Sequence, residues 1–343
     1  IKVLAILLDD TVDKIGNDYQ ISNENEFEGF SEYINQVIEK YNNNIVGVEV
    51  WNEPNIKWTS DDAKMWYTRI VEATRKNTSK KVIAGSTATP YQTSKSEEYI
   101  KSISKLGSYS NSNAFSYHIY SHSNDMKWLK EKNASHKETA NSLGGFQYLY
   151  ITEYGVNDTN ITSDKEKSQK IVKQTINNIS QGVHTEYLYN FIDDSENVRY
   201  GLLTKENTPK DSYFAMKNYL QNTNGAEYIG KLNLLEGLET HIYDKDGTPL
   251  LITWSNDTNK NIEINYNGFV AKDLYGKEIE PNENGKIVIT NSPVYIYNLD
   301  SKYYYETISN LIETKYSEFK QKYKEYIKEI PELTTQIERM EEY

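Results

Sequence analysis

Short apolar segments alternate with longer amphipathic stretches over residues 1–225. The apolar segments are 3–8, 45–51, 82–86, 114–120, 149–153 and 186–191, and each has the length of a buried strand. After the first of them, Phe27, Phe30, Ile34 and Val37 recur at spacings of three and four, which predicts a helix with one buried face. Six such βα units in series fit both an α/β barrel and an open, doubly wound sheet.

The pattern changes after residue 225. Shorter alternating segments are separated by turn signals, namely Asp246-Gly247, Asn267-Gly268 and Asn284-Gly285. We therefore predict a small antiparallel β-sandwich over residues 226–300. Residues 301–343 repeat apolar side chains at helical spacing, which predicts an amphipathic helical tail that carries no chemistry.

Composition narrows the class of function. The 343 residues have a formal charge of -12, from 50 acidic and 38 basic side chains, which argues against nucleic acid or an anionic membrane surface as the main partner. The absence of cysteine excludes a disulfide framework, a thiol nucleophile and a thiolate metal site. No apolar segment is long enough to cross a bilayer.

Two glutamates stand out because each ends a predicted strand. Glu53 follows the segment 45–51, and Glu153 ends the segment 149–153. In a parallel barrel the carboxyl ends of the strands converge on one mouth, so two carboxyl groups 100 residues apart in sequence can face each other there. Glycoside hydrolysis needs such a pair, with one group protonated and the other ionised.

Around these glutamates the sequence resembles glycoside hydrolase clan A, and downstream it resembles family 39-like members. The stretch 51–54, Trp-Asn-Glu-Pro, is similar to the acid/base motif at barrel strand four, and the stretch 151–155, Ile-Thr-Glu-Tyr-Gly, to the nucleophile motif at strand seven. The stretches 200–203 and 209–213 resemble the segment between strand eight and the last helix. The resemblance implies a (β/α)₈ TIM barrel, with Glu53 as general acid/base and Glu153 as nucleophile.

Counted from these motifs, the first segment corresponds to strand three, so strands three to eight are present and strands one and two are missing. The chain also begins without methionine or a signal peptide. We therefore expect it to be cut from a longer protein.

The resemblance also implies substrate-binding residues. His118 and Tyr120 share one side of their strand, where the clan places a histidine in the site and a tyrosine that hydrogen-bonds the nucleophile. Asn52 corresponds to the residue that binds the sugar 2-hydroxyl. Trp51, Tyr189 and Phe191 complete the candidate set, although many clan members have a tryptophan on strand eight where this sequence offers Tyr187, Tyr189 and Phe191.

These observations predict a retaining glycosidase that cleaves β-glycosidic bonds in an oligo- or polysaccharide. The alternative is a catalytically inactive carbohydrate-binding barrel. No cofactor is implied, and no metal is expected because His118 has no second histidine at ligand spacing. The substrate class suggests a secreted or cell-surface protein, to which the C-terminal region could provide attachment.

Five further acidic residues lie on or directly after predicted strands. Glu49, two residues before Trp51, is expected to point into the barrel; no lysine or arginine was found on the six predicted strands, so its cation is expected on strand one or two. Asp9, Asp10, Asp193 and Asp194 follow strands and could touch sugar hydroxyls, but a capping or solvated role is equally compatible.

Overall fold

The structure is a computed structural model that describes residues 2–8, 20–89, 95–120, 126–143, 148–158, 161, 163–195 and 198–298, with three isolated positions beyond. Asp9, Asp10 and nearly all of the predicted tail helix lie outside the described residues. The chain divides into two compact units, Ile1–Lys217 and Asn218–Tyr343.

The first unit contains six parallel strands in a single sheet. They are β1 (Val3–Leu7), β2 (Ile45–Val50), β3 (Lys81–Ala88), β4 (Ala114–Tyr120), β5 (Tyr148–Gly155) and β6 (Thr185–Leu188). The spatial order is β1-β2-β3-β4-β5-β6, the same as the order in sequence. A doubly wound sheet would reverse its order at a switch point, so the pairing favours the barrel winding over that alternative.

The sheet is curled. Leu4 of β1 packs with the cluster that contains Tyr150 of β5, four strands away along the sheet. One cavity of about 340 Å³ is lined by Leu4 of β1 and also by Thr185 and Tyr187 around β6. The first and last strands therefore border the same space.

Helices follow the strands of this unit, and the last of them continues past Lys217 into the second unit. They are α1 (Glu24–Tyr41), α2 (Pro54–Lys57), α3 (Asp61–Asn77), α4 (Lys95–Lys105), α5 (Met126–Ser142), α6 (Asp164–Ser180) and α7 (Asp211–Thr223). α1 buries Phe30, Ile34 and Ile38, the face that its apolar spacing predicted. The side chain of Ser60 caps α3 by accepting a hydrogen bond from the backbone N–H of Ala63.

Five of the six strands differ from their predicted bounds by one to three residues, and two of these differences bear on the predicted residues. β6 ends at Leu188, three residues early, because the backbone then pairs locally: Leu203 N–H donates to the Phe191 carbonyl instead of extending the sheet. Tyr189 and Phe191 thus follow the strand, and the Tyr189–Asn190 peptide is cis. β3 begins at Lys81, so one of the six strands does carry a lysine.

The second unit contains two antiparallel sheets. The larger has the order β11 (Val270–Lys272), β13 (Val294–Tyr297), β9 (Thr248–Ser255), β8 (Leu238–Lys245) and β7 (Glu227–Leu232), and the smaller pairs β10 (Ile262–Asn265) with β12 (Lys286–Ile289). Apolar side chains from both sheets share one core. Asp246 and Gly247 both have positive φ, as a two-residue hairpin turn requires.

Within the described part of the chain, we find no helix whose length and apolar character would let it cross a membrane.

Candidate active site

A sharp turn after β2 presents Glu53. Trp51 and Glu53 both have left-handed backbone conformations, with φ of 67° and 48°, and Glu53 is the residue before the short helix α2. Its backbone N–H donates to the carbonyl of Ser86 at 2.8 Å. Non-glycine residues adopt this conformation at a free-energy cost and cluster at functional sites. The turn leaves the Glu53 side chain 28% exposed.

Glu153 lies near the carboxyl end of β5, opposite His118 of β4 in the strand register. Because side chains two apart on a strand share a face, His118 and Tyr120 both point toward it. The Tyr120 hydroxyl donates to Glu153 Oε2 at 2.5 Å. The structure therefore has a hydrogen bond between the tyrosine and the glutamate that the resemblance pairs.

His118 lies between the two glutamates. Its Nδ1 is 3.0 Å from Glu53 Oε1 and 3.4 Å from Glu153 Oε2, and its side chain is 1% exposed. One ring nitrogen of His118 and one carboxyl oxygen from each glutamate all lie within 4.8 Å of one another. The strand ends have therefore brought two carboxyl groups into close approach around one imidazole.

The charges in this cluster shift the pKa of His118. Burial lowers it, but the hydrogen bond to Glu53 and the negative charge of Glu153 outweigh burial, so the pKa lies above its ordinary value. A positively charged His118 can then compensate the two carboxylates. Burial and the charge of Glu153 raise the pKa of Tyr120, which keeps its hydroxyl protonated as a donor.

Glu49 lies on β2, four residues before Glu53, and is fully buried. The Ser116 hydroxyl donates to its Oε1 at 2.5 Å, and the same hydroxyl accepts from the Ser86 backbone N–H. Burial raises the pKa of Glu49, with the charge of His118 opposing the shift. No lysine or arginine among the described residues forms an ion pair with it, and Lys81 instead donates to the Tyr150 hydroxyl.

Three tyrosines form an aromatic cluster beside Glu153. The ring centroids of Tyr120 and Tyr189 are 6.2 Å apart, and Tyr200 lies 5.3 Å from the first and 5.7 Å from the second. Tyr200 belongs to the stretch 200–203, and its place in this cluster depends on a loop whose conformation cannot be predicted from sequence spacing. Phe191 is 58% exposed, and its ring packs against Tyr213 instead.

Trp51 and Asn52 occupy the turn before Glu53. The Trp51 ring is 3% exposed and packs between Phe30 and Trp58, so most of it belongs to the core. Both residues also line a cavity of about 210 Å³ that includes Glu53. Asn52 Oδ1 is buried and accepts no hydrogen bond within the described part of the chain.

The site also has the ligand types of a metal centre. Carboxyl oxygens of Glu53 and Glu153 and a ring nitrogen of His118 are close enough together to bind one metal ion. His118 Nδ1 faces Glu53, however, and Nε2 lies 3.2 Å from the Ser86 hydroxyl. Both ring nitrogens thus have hydrogen-bonding partners. The arrangement suits acid–base and nucleophilic chemistry by the carboxyl groups.

A family model matches this part of the chain. The family described as cellulase, glycosyl hydrolase family 5, matches residues 5–189, which is more than half of the sequence. The chain belongs to this family. The match confirms the resemblance to glycoside hydrolase clan A, whose members hydrolyse glycosidic bonds. The glycoside hydrolase has no match among curated proteins.

Several solved structures have a fold similar to that of this glycoside hydrolase. A family 39 glycoside hydrolase from the gut symbiont Bacteroides cellulosilyticus has a TM-score of 0.71 at 17% identity, over 87% of this chain and 68% of its own. A conserved exported protein from Bacteroides fragilis scores 0.61 at 13% identity, over 81% and 72%. A GH30 endoxylanase from Clostridium papyrosolvens scores 0.52 at 11% identity, over 81% and 72%.

Proposed function

We propose that the protein is a retaining glycosidase that cleaves β-glycosidic bonds by double displacement. The observation that carries the proposal is the approach of Glu53 and Glu153, whose carboxyl oxygens lie within 4.8 Å of each other. Retaining enzymes place the two carboxyl groups about 5–5.5 Å apart, whereas inverting enzymes leave about 6.5–9.5 Å for a water molecule. The shorter separation favours direct attack by a carboxylate.

In the first step, ionised Glu153 attacks the anomeric carbon while Glu53 donates its proton to the departing glycosidic oxygen. The bond from carbon to the leaving oxygen breaks, and a glycosyl ester forms on Glu153. In the second step, Glu53 takes a proton from water, and the water oxygen displaces Glu153 from the same carbon. Two inversions leave the configuration retained.

The surrounding residues support these steps. Tyr120 orients Glu153 by its hydrogen bond, and His118 holds Glu53 through Nδ1. By resemblance to the clan, Asn52 binds the sugar 2-hydroxyl, and its unpaired buried oxygen is available for that contact. Tyr189 and Phe191 offer aromatic surface on which a sugar can stack.

The catalytic domain of this proposal is an eight-stranded TIM barrel in which β1–β6 are strands three to eight. Supporting this, β1 and β6 border one cavity of about 340 Å³ but stand at the two edges of the sheet and do not pair with each other among the described residues. Two further parallel strands between them would close the barrel. The stretches 200–203 and 209–213, which lie outside the residues matched by the family 5 model, add a likeness to family 39 members of the same clan. Residues 226–300 form a β-sandwich domain.

We place the protein outside the cell, with an oligo- or polysaccharide as substrate and the C-terminal region as an attachment to the cell surface. One protein of similar fold is described as exported, and polymeric glycans are met outside the cell. A catalytically inactive carbohydrate-binding barrel is the competing function. The presence of both glutamates disfavours it, and hydrolysis of activated aryl β-glycosides by the full chain decides between the two.

Azide rescue tests the assignment of the two glutamates. With an activated aryl β-glycoside, Glu53→Ala should still be glycosylated but stall at deglycosylation. Azide needs no general base and should restore turnover with a β-azide product. Glu153→Ala should lose nearly all turnover, and azide should attack directly to give the inverted α-azide.

The exposed Glu28 of α1 supplies the control, and Glu28→Ala should match the wild type. An inverted first product from the wild type, or a β-azide from Glu153→Ala, would show that the roles are wrong. Product configuration is measured by proton NMR in the first minutes of the reaction.

A further inference from the structure

A second cluster of charges lies in the first unit, apart from the two glutamates. It consists of Asp158, Lys167, Asp193 and Lys210, which we call the Lys–Asp quartet. Lys210 Nζ lies 2.7 Å from both Asp158 Oδ2 and Asp193 Oδ2, and Lys167 Nζ lies 2.5 Å from Asp158 Oδ1. The side chains are 0% to 18% exposed, so the four charges largely neutralise one another away from water.

The quartet also binds the backbone of the segment after β6. Lys167 Nζ donates to the carbonyls of Gly201 and Arg199 at 2.8 and 3.3 Å. Asp193 Oδ1 accepts from the Gly201 backbone N–H at 2.8 Å. Gly201 is thus held from both sides, through its N–H by Asp193 and through its carbonyl by Lys167.

The backbone around Gly201 is packed too closely for any side chain. A Cβ atom there would lie 2.3 Å from the Asp193 nitrogen and 2.5 Å from the Leu203 carbonyl oxygen. The Asp193 N–H also donates to that same carbonyl, at 3.1 Å. The quartet therefore holds two closely packed backbone segments together, one at Asp193 and the other at residues 201–203.

Tyr200, which immediately precedes Gly201, belongs to the aromatic cluster beside Glu153. Its ring contacts those of Tyr120 and Tyr189, and the Tyr120 hydroxyl donates to Glu153. The line of contact runs from the quartet to the Gly201 backbone, then through the rings of Tyr200 and Tyr120 to the proposed nucleophile.

Stability alone does not account for such a quartet. Taking charges out of water costs several kcal/mol per ion, and apolar replacement of a buried ion pair is often neutral or stabilising. Burial lowers the pKa of Lys167 against the opposing effect of Asp158. For Lys210, burial also acts to lower the pKa, but the hydrogen bonds to Asp158 and Asp193 outweigh it and the pKa is raised.

We propose that the Lys–Asp quartet positions the Tyr200 and Tyr120 rings so that Tyr120 holds Glu153 in its attacking orientation. Lys167 and Lys210 are positioning residues in this scheme and touch no substrate. The inference rests on the proposed function, because it assigns Glu153 as the nucleophile. It adds that a charge cluster away from the reacting atoms determines the geometry of the reaction.

The test compares Lys210→Met with Lys165→Met in the full chain, since Lys165 is an exposed lysine on α6 outside the quartet. We expect Lys210→Met to lower kcat/KM by about 100-fold, the loss that follows a displacement of about 1 Å at a reacting group. The loss should appear in kcat more than in KM, because the quartet touches no substrate. Lys165→Met should leave both unchanged.

A second readout requires no turnover. With 3-fluorotyrosine incorporated at position 200 or 120, the fluorine resonance should shift in Lys210→Met and stay in place in Lys165→Met. Because Lys210→Met leaves an aspartate without its cation, the neutral double variant Lys210→Met with Asp193→Asn serves if the single variant fails to fold, and it should show the same shifts.

The outcomes separate the two claims. A wild type without glycosidase activity overturns the proposed function, and the fluorine resonances then still decide whether the quartet holds the tyrosines. An active wild type with unchanged resonances and an unchanged kcat in a folded Lys210→Met overturns the quartet inference alone. A fall in melting temperature with no other change would likewise show a merely structural role.

Discussion

At the residue scale, folding takes up protons at two buried groups in the site. The pKa of Glu49 is raised by burial, and that of His118 is raised by its carboxyl neighbours against the effect of burial. In both cases the folded protein binds the proton more tightly than the unfolded chain. The stability that each proton confers is complete below the unfolded pKa and is lost as the pH rises through the folded pKa.

Glu49→Gln isolates one of these groups. Glutamine keeps an oxygen that can accept a hydrogen bond from Ser116, but it cannot ionise. The wild type is destabilised when Glu49 loses its proton, and the variant is not. We expect the two proteins to melt alike near pH 4 and the variant to melt about 3 °C higher at pH 8, the effect of roughly 1 kcal/mol in a domain of this size. Calorimetry over this pH range measures the difference.

Glu28→Gln, at an exposed position, controls for the loss of charge and should show no such trend. A melting-temperature difference for Glu49→Gln that does not grow with pH would mean that Glu49 is not protonated more strongly in the folded state.

Sequence rules locate residues at strand ends and on strand faces, and little beyond. The strand-end rule applies to Glu53 and Glu153, and the two-residue period to His118 and Tyr120. Ser116 shares a face with His118, so the same period could have indicated it as a partner for Glu49. The quartet could not be found this way, because a lysine on a helix ordinarily faces solvent and its burial depends on a loop folding over it.

At the scale of elements, helix starts were more predictable than strand ends. A serine or threonine followed by acidic residues marks the start of α3, where Thr59 and Ser60 precede Asp61 and Asp62. The structure selects Ser60, whose hydroxyl accepts from Ala63 N–H. The end of β6 was harder to predict. The backbone pairing that replaces the sheet there joins Asn190 and Phe191 to Leu202 and Leu203, which lie twelve residues further along the chain.

The cap gives a direct prediction. Ser60→Ala removes the acceptor for a backbone N–H in the first turn of α3 and should lower the free energy of unfolding by about 1 kcal/mol. Thr59→Ala is the matched control, because Thr59 is exposed and outside the cap, and it should change stability by less than about 0.5 kcal/mol. Urea denaturation of both variants measures the difference, and equal losses would mean that the hydroxyl of Ser60 does not cap the helix.

At the scale of the whole molecule, the pattern of apolar segments predicted six βα units, and the barrel winding was predicted by the resemblance to clan A and not by that pattern. A barrel and a doubly wound sheet share the same alternation of strands and helices, and only the pairing of strands distinguishes them. The sequential order in the first unit does so. All the candidate site residues lie in that unit, between Trp51 and Phe191.

Chemistry confined to the first unit makes turnover insensitive to changes in the second. Asp246 has a φ of 54° in the turn between β8 and β9, a conformation that costs most side chains about 1–2 kcal/mol but that aspartate tolerates. Asp246→Ala should therefore destabilise the second unit by about 1 kcal/mol while kcat/KM stays within about threefold of the wild type. Asp246→Gly, which adopts positive φ freely, should match the wild type in both measurements. A collapse of kcat in Asp246→Ala, with circular dichroism unchanged and no such loss in Asp246→Gly, would place part of the catalytic machinery under the control of the second unit.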